Sequence, residues 1–532
     1  MNGTGIELAR GGGDNAFMHL TQILSRGALL KAHRQALRCG DRALTWRELH
    51  ERVARLAGVL ADLGVGADTG VSMLADTGFP YFEYHYAVPW AGGVMVPLNT
   101  RLADAELGYI LDDAEVKLLI VDRAHAARVP ALLKLAPGVR RVLTIDAAPG
   151  GDALDYETLL AARAPVPDAR RGGSDLLAIV YTGGTTGRPK GVMTSHANAV
   201  ANILAAIPNM EFHEDMVYLH SMPVFHAAGS ARIYGTMTAL GTGIILPSFD
   251  MDALFDAVEQ QRVTHLLLVP TMINRLLNHP RFATTDFSSL TNISYGASIM
   301  PEALLRRALA LLPKVRFTQS YGMTELSPSA AWLQPKYHVL EGPNAGRIKS
   351  IGQAIHTAEI RIADEHDNEL PHGQIGEIQV RGPMVMQGYW KQPALTAQTL
   401  RGGWMHTGDA AWMDDEGFIY LVDRLKDMII SGGENVYSGE VEHALHEHPG
   451  VRECAVIGLP DEDLGERVHA IVVPHDGATL TAEALIRHCR SLIAGYKCPR
   501  SIDIRHAPLP LSGTNKILKR QLREEALASR GG

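Results

Sequence analysis

Apolar residues Leu49, Val53, Leu56, Leu60 and Leu63 recur three or four positions apart behind Thr45 and Glu48. This spacing predicts an amphipathic helix opened by a Thr-x-x-Glu capping box. A short apolar run at 70–75 follows and reads as a buried strand. The alternation continues with a helix over 103–115 and strands over 117–122 and 141–146. It returns with a strand at 265–269, a helix after Pro270, a helix over 300–312 and a strand at 315–319. Strands alternating with helices imply parallel sheets covered on both faces, so two α/β halves are expected in the first 350 residues or so.

Beyond about residue 350 the pattern changes to short glycine-punctuated segments. Glu377-Ile378-Gln379-Val380-Arg381-Gly382 and Gly417-Phe418-Ile419-Tyr420-Leu421-Val422 read as antiparallel strands of a small β subdomain. After Lys426, strands at 455–459 and 468–473 and helices at 439–446 and 482–492 form a further compact α+β unit. The expected division is 1–425 for a large body and 426–532 for a smaller mobile domain. No fixed-period repeat suggests a solenoid or propeller.

Composition narrows the class. The 532 residues are 46% hydrophobic and 20% charged, with mean hydropathy of -0.01, which is ordinary globular composition. A net charge of -8 argues against wrapping nucleic acid. The start of the chain lacks a basic segment followed by an apolar one, and no run approaches the length of a membrane span. A cytoplasmic protein without an integral membrane segment is therefore expected. Cys39, Cys454, Cys489 and Cys498 show no C-x-x-C spacing and read as reduced thiols.

Candidate chemistry begins at Ile179-Val180-Tyr181-Thr182-Gly183-Gly184-Thr185-Thr186-Gly187-Arg188-Pro189-Lys190-Gly191. An apolar strand runs into a loop offering backbone N–H groups, threonine hydroxyls and a lysine, which suits a polyphosphate. Glycines alone would suit an ordinary hairpin turn. A P-loop would need a lysine followed by Ser or Thr at a helix start, but Pro189 precedes Lys190 and Gly191 follows it. The segment resembles the signature loop of the adenylate-forming superfamily, which includes acyl-CoA synthetases and peptide-synthetase adenylation domains. Gly183 stands where that loop usually carries serine.

Further motifs of the same superfamily follow in order along almost the whole chain. Gly296-Ala297-Ser298 resembles its adenine wall. Tyr321-Gly322-Met323-Thr324-Glu325, preceded by Gln319, resembles the aromatic-Gly-x-Thr-Glu motif. The resemblance implies that Tyr321 stacks on adenine and that Glu325 ligates Mg²⁺, with the Thr185 hydroxyl as a second ligand; a hard cation takes oxygen donors. Thr407-Gly408-Asp409 implies a ribose-binding Asp409. Asp423-Arg424-Leu425-Lys426-Asp427 implies Arg424 on the ribose and Lys426 as a hinge. Leu511-Ser512-Gly513-Thr514-Asn515-Lys516 resembles the motif delivering a catalytic lysine, with Asn515 for the usual glycine. Taken singly, Asp409 would be a turn residue, Arg424 and Lys426 a solvated face, and Lys516 a basic helix start.

The resemblance implies ATP, Mg²⁺ and coenzyme A as cofactor and co-substrates, and a small carboxylic acid as partner. A homodimer is left as an option. Lys190 would lie near the β- and γ-phosphates, and the 182–187 loop with 296–298 and 319–324 would hold the nucleotide. Ser431-Gly432-Gly433-Glu434 would form the path for pantetheine. Phe225, His226, Ala228 and Gly229, with Gly322 and Met323, would line the acyl pocket, His226 lying near the carboxylate entrance. The segment lacks the aspartate that would pair with an amino acid's ammonium, whose burial unpaired is costly. Arg232 reads either as a structural or surface arginine or as a contact for a polar tail or second carboxylate. The expected activity is ATP-dependent carboxylate–CoA ligation through an acyl-adenylate, with a medium or long fatty acid or similarly apolar acid as first choice. An aryl acid of the coumarate or benzoate type is the alternative, as is loading of a carrier-protein thiol. Only sixteen residues follow Lys516, which favours CoA as acceptor.

Overall fold

The computed structural model describes residues 19–146, 154–182, 189–297, 300–424, 427–432, 434–461, 463–511 and 517–529. The expected capping box opens the helix Trp46–Asp62: the Glu48 N–H donates to Thr45 Oγ1 at 3.2 Å, and the Thr45 N–H donates to Glu48 Oε2 at 2.7 Å. Leu49, Val53, Leu56 and Leu60 are buried along its inner face. The strand Gly70–Leu74 is buried at every position, as its uninterrupted apolar run requires.

The body holds two large sheets, and both are mixed. In the eight-stranded sheet, Gly70–Leu74, Val94–Pro97, Leu118–Asp122 and Arg141–Ile145 run parallel. Leu176–Thr182 joins them parallel to Val94–Pro97, and Lys190–Ser195 and Gly388–Tyr389 then close that margin by antiparallel pairing. In the nine-stranded sheet, Val217–His220, His265–Leu268, Asn292–Gly296 and Arg316–Tyr321 are parallel neighbours. Ala331–Leu333 and Gln353–Ala354 then add an antiparallel margin.

The two halves are not contiguous in sequence, contrary to the simplest reading of the alternation. The hairpin of Gln35–Cys39 and Arg42–Thr45 joins the second sheet, with Leu37 in register with Gly243. Gly388–Tyr389 returns to the first sheet against Lys190–Ser195. The helix Phe79–Trp90 is buried nearly all round, so it carries no one-sided apolar stripe by which periodicity would find it.

Glu359–Ala363, Gly376–Arg381, Met405–Met413 and Ile419–Arg424 form the expected antiparallel subdomain. A further sheet is built from Ile429–Ser431, Glu434–Val436, Val451–Asp461, Gly465–Pro474 and Ser501–Ile504, with the helices Ser438–His446 and Ala482–Arg490 over it. It has an apolar core of its own, including Val441, Leu445, Val456, Val472 and Leu485. Among the described residues, no helix is long and apolar enough to cross a membrane.

Candidate active site

In an open α/β sheet, ligands bind beyond the carboxyl ends of the parallel strands. Here the ends of Val217–His220, Asn292–Gly296 and Arg316–Tyr321 lie along one edge of the nine-stranded sheet, since each runs parallel to its neighbour. These ends deliver, respectively, the 221–229 segment, Gly296-Ala297 and the Tyr321–Glu325 motif. Ala297 holds a left-handed φ of +67°, which costs a residue with a side chain and is the kind of strain found at functional sites.

Two phenols tie the sheets together at this edge. The Tyr321 hydroxyl donates to Asp409 Oδ2 at 2.6 Å, joining the nine-stranded sheet to the antiparallel subdomain. The Tyr389 hydroxyl donates to Glu325 Oε1 at 2.8 Å, joining the margin of the eight-stranded sheet to the same motif. Burial, then the Glu325 charge, push the Tyr389 phenol well above its ordinary range, so it stays a donor. Lys190 Nζ lies 5.5 Å from the Tyr389 ring centre, within cation–π reach. Lys190, Glu325, Tyr321 and Asp409 therefore converge where three sheets meet.

The Thr407-Gly408-Asp409 stretch of the strand Met405–Met413 is held by its neighbours. Glu377 accepts from the Gly408 N–H at 2.9 Å through Oε1, while its Oε2 lies 2.7 Å from His406 Nδ1. Thr407 Oγ1 donates to the Ile378 carbonyl and accepts from the Asp409 N–H. Asp409 lies opposite Arg424 in the antiparallel register, so the two proposed ribose contacts share one rung. The Gln319 side chain accepts from the Tyr295 hydroxyl at 3.3 Å.

The Gly-rich segment connects the antiparallel strands Leu176–Thr182 and Lys190–Ser195, with Thr182 opposite Lys190. No helix follows directly, in agreement with the exclusion of a P-loop. Gly183, Gly184, Thr185, Thr186 and Gly187 lie outside the described residues, as do Ser298, Lys426, Gly433 and Lys516.

On the acyl side, His226 caps the helix Ala227–Thr238 and its ring lies 4.5 Å from that of Phe225. Ala228 and Gly229 fall in the first turn of this helix. Two glycines of this region have packing reasons of their own. A Cβ at Gly229 would approach the Pro223 carbonyl to 2.2 Å, and one at Gly322 would approach the Pro328 carbonyl to 2.1 Å. Their smallness thus serves close backbone approach as well as any opening of the pocket. Arg232 is no surface residue: it is 3% exposed within the same helix.

At the entrance to the last domain, Ser431 and Glu434 face each other across a hairpin whose Gly432 N–H donates to the Leu464 carbonyl at 2.8 Å. Asp423 accepts from Ser438 Oγ at 2.7 Å and from the Gly439 N–H at 3.2 Å, fastening the strand Ile419–Arg424 to the start of the helix Ser438–His446. Sequence reasoning missed Tyr389 and Glu377. Tyr389 belongs to no motif singled out, and only the sheet pairing that returns Gly388–Tyr389 to Lys190–Ser195 brings it to the site.

Comparison with known proteins agrees with this geometry. The family model described as AMP-binding enzyme matches residues 25–390, and that described as AMP-binding enzyme C-terminal domain matches 440–516. A feruloyl-CoA synthase from Amycolatopsis sp is 41% identical over 94% of this chain and 97% of its own. An indoleacetate–CoA ligase from Aromatoleum aromaticum is 35% identical over 95% and 98%. Among solved structures, the amide bond synthetase McbA from Marinactinospora thermotolerans superposes with a TM-score of 0.87 at 30% identity, covering 95% of this chain and 99% of that one. The chain belongs to the AMP-binding enzyme family of the adenylate-forming superfamily and is an AMP-forming acid–thiol ligase that uses ATP and CoA.

Proposed function

We propose that the preferred acid is a ring-bearing one, an aryl or arylalkenoic acid, ahead of the long alkyl chain that the sequence put first. The observation that carries this reading is the narrow cavity behind residues 222–229, where Tyr218, His220, Ser221 and Arg232 stand beside Met222 and Leu267. A floor so rich in polar groups suits a short acid better than an alkyl tail, which gains only from apolar walls. The similarity to a feruloyl-CoA synthase and an indoleacetate–CoA ligase supports the same choice.

In the first half-reaction a substrate carboxylate, already ionised at neutral pH, attacks the α-phosphorus of ATP, and the α–β phosphoanhydride bond breaks to give the acyl-adenylate and pyrophosphate. Two anions approach, so cationic groups must offset the charge that spreads over the phosphoryl oxygens. Lys190 is assigned to the β- and γ-phosphates and Lys516 to the carboxylate and α-phosphate. Asp409 and Arg424 take the ribose and Tyr321 the adenine; the Tyr321–Asp409 hydrogen bond is the contact that a ribose hydroxyl would replace. Glu325 fits Mg²⁺, being a buried hard-oxygen donor beside Lys190, with Thr185 as a second candidate. The ion would supply charge neutralisation at the phosphates. In the second half-reaction, domain 426–532 turns about Lys426, and the 431–434 hairpin admits the CoA thiol to the acyl carbonyl, where the thioester bond forms, the acyl–phosphate bond breaks, AMP leaves and the thiol proton passes to solvent.

The test is a carboxylate panel with ATP and CoA, scoring AMP release from acetate, octanoate, palmitate, benzoate and cinnamates. The expected result is the highest kcat/KM on a ring-bearing acid and release that depends on CoA. Preference for palmitate would return the assignment to fatty acids, and release without CoA would point to another acceptor.

A further inference from the structure

Resting on that reading of the acyl segment, one buried residue narrows the substrate class further. Nε and Nη1 of Arg232 have no hydrogen-bond partner, and no carboxylate pairs with Arg232 among the described residues. A guanidinium cannot shed its proton to escape burial, as a lysine can. Of its neighbours, only the Tyr218 hydroxyl favours the charged form, and none carries a compensating negative charge. Burial, with the guanidinium itself second, pushes His220 down to about 3, so that ring is neutral at working pH. The Tyr218 phenol is pushed up to about 12 by burial and remains a neutral hydroxyl. A buried cation without a counter-charge is among the costlier features a fold can carry, and it calls for an anion or a strong acceptor.

The guanidinium faces a cavity of about 10 Å³ lined also by Tyr218, His220, Met222, Gly229 and Leu267, room for about one water. Gly229 and Arg232 are three residues apart on one face of the helix Ala227–Thr238, and His226 lies three residues before Gly229. At 1.5 Å of rise per residue, His226 and Arg232 are separated by about 9 Å along the helix. That span matches an acid with one ring between its reacting carboxylate and its far end. Met222, unbranched and adaptable, is the wall able to yield when such a ring enters.

We propose that Arg232 is a specificity-determining residue that receives an acidic oxygen, phenolic or carboxylate, at the end of the substrate remote from the reacting carboxyl group. The phenol and the carboxylate share one chemistry, an oxygen that accepts from a guanidinium, and the bidentate match is better for the carboxylate.

The experiment measures AMP release for matched acids that differ only at the far end: cinnamate, 4-hydroxycinnamate and 4-carboxycinnamate, with octanoate and octanedioate as an alkyl pair. The wild-type protein and Arg232→Met are compared, with Arg232→Lys to keep the charge without the fork. The expected result is a wild-type preference in kcat/KM of about tenfold to hundredfold for the oxygen-bearing member of a pair. That ratio collapses toward one in Arg232→Met and survives in part in Arg232→Lys. The larger wild-type ratio of the two cinnamate derivatives identifies the source of the oxygen. Melting curves supply a second readout: removing a buried unpaired cation raises the melting temperature of Arg232→Met without substrate. An equal fall for all acids, or a lowered melting temperature with an unchanged ratio, would make Arg232 structural and overturn the proposal. A wild-type preference for octanoate over every cinnamate would defeat the ring-bearing reading while leaving the octanedioate ratio to judge Arg232. Release from none of the acids overturns both.

Discussion

The end of the site proposed for the nucleotide and the end proposed for the acyl group treat charge in opposite ways. At the nucleotide end, charged side chains already have neutral or polar partners: Asp409 has the Tyr321 phenol, Glu325 has that of Tyr389, and Glu377 has His406 and the Gly408 N–H. At the acyl end, Arg232 is as deeply buried and lacks an ion-pair partner among the described residues. The first arrangement holds its groups in place with hydrogen bonds that a ligand can exchange for its own, at little net cost. The second leaves an uncompensated charge in the free protein, which on the proposal above the right acid offsets. On that reading one end serves every substrate alike, and the other chooses among them.

The largest test of this contrast is Lys516→Ala. Carboxylate-dependent ATP–pyrophosphate exchange should fall about a hundredfold or more, by the same factor for every acid, while thioester formation from supplied acyl-adenylate persists. Exchange retained, or lost for some acids only, would break the contrast. A smaller effect is expected of Tyr389→Phe, which removes the phenol from Glu325. Adenylation should fall about tenfold, with the Mg²⁺ dependence shifted and the ranking of acids unchanged. A Mg²⁺ titration that superposes on the wild type would detach Tyr389 from the metal role proposed for Glu325.

The smallest effect is on stability. Burial holds His85 at about 4 and His220 at about 3, both below the ordinary value near 6.5. The unfolded chain binds protons there between about pH 6.5 and the folded values, and the native state does not. Their contribution is therefore complete above about pH 6.5 and is lost as pH falls toward 4, at about 1.4 kcal/mol per pH unit for each ring. Urea midpoints from pH 7.5 to 4.5 should decline accordingly, and His220→Gln should flatten the decline in part. A wild-type midpoint independent of pH across this window would show that these rings are charged in the fold, and the acyl end would then hold more positive charge than Arg232 alone.

Much of this was legible in the chain itself, for local reasons. The capping box at Thr45 and Glu48 and the strand at 70–74 declare themselves within a few residues. The ordered motifs around Lys190, Tyr321, Asp409 and Arg424 gave the superfamily. Other features depend on partners far along the chain. The helix Phe79–Trp90 is buried on every side, so no periodic stripe marks it. Tyr389 reaches Glu325 only through a two-residue strand that pairs nearly two hundred positions upstream. The burial of Arg232 likewise follows from the strands packed over its helix, and its own neighbours in sequence, Ala231 and Ile233, fit a surface helix as readily as a core one.

The hairpin at 35–45 has a consequence for how the protein is made. Leu37 pairs with Gly243, so the strand Gln35–Cys39 leaves the ribosome roughly 200 residues before its parallel neighbour exists. At the usual 5–20 residues per second that is a wait of about 10–40 s. Through that interval Ala36 and Leu37, both fully covered in the finished fold, lack the parallel neighbour that covers them. The nine-stranded sheet therefore cannot take in its hairpin until residue 245 has emerged, and the yield of the protein in a cell should depend on what shelters that hairpin until then.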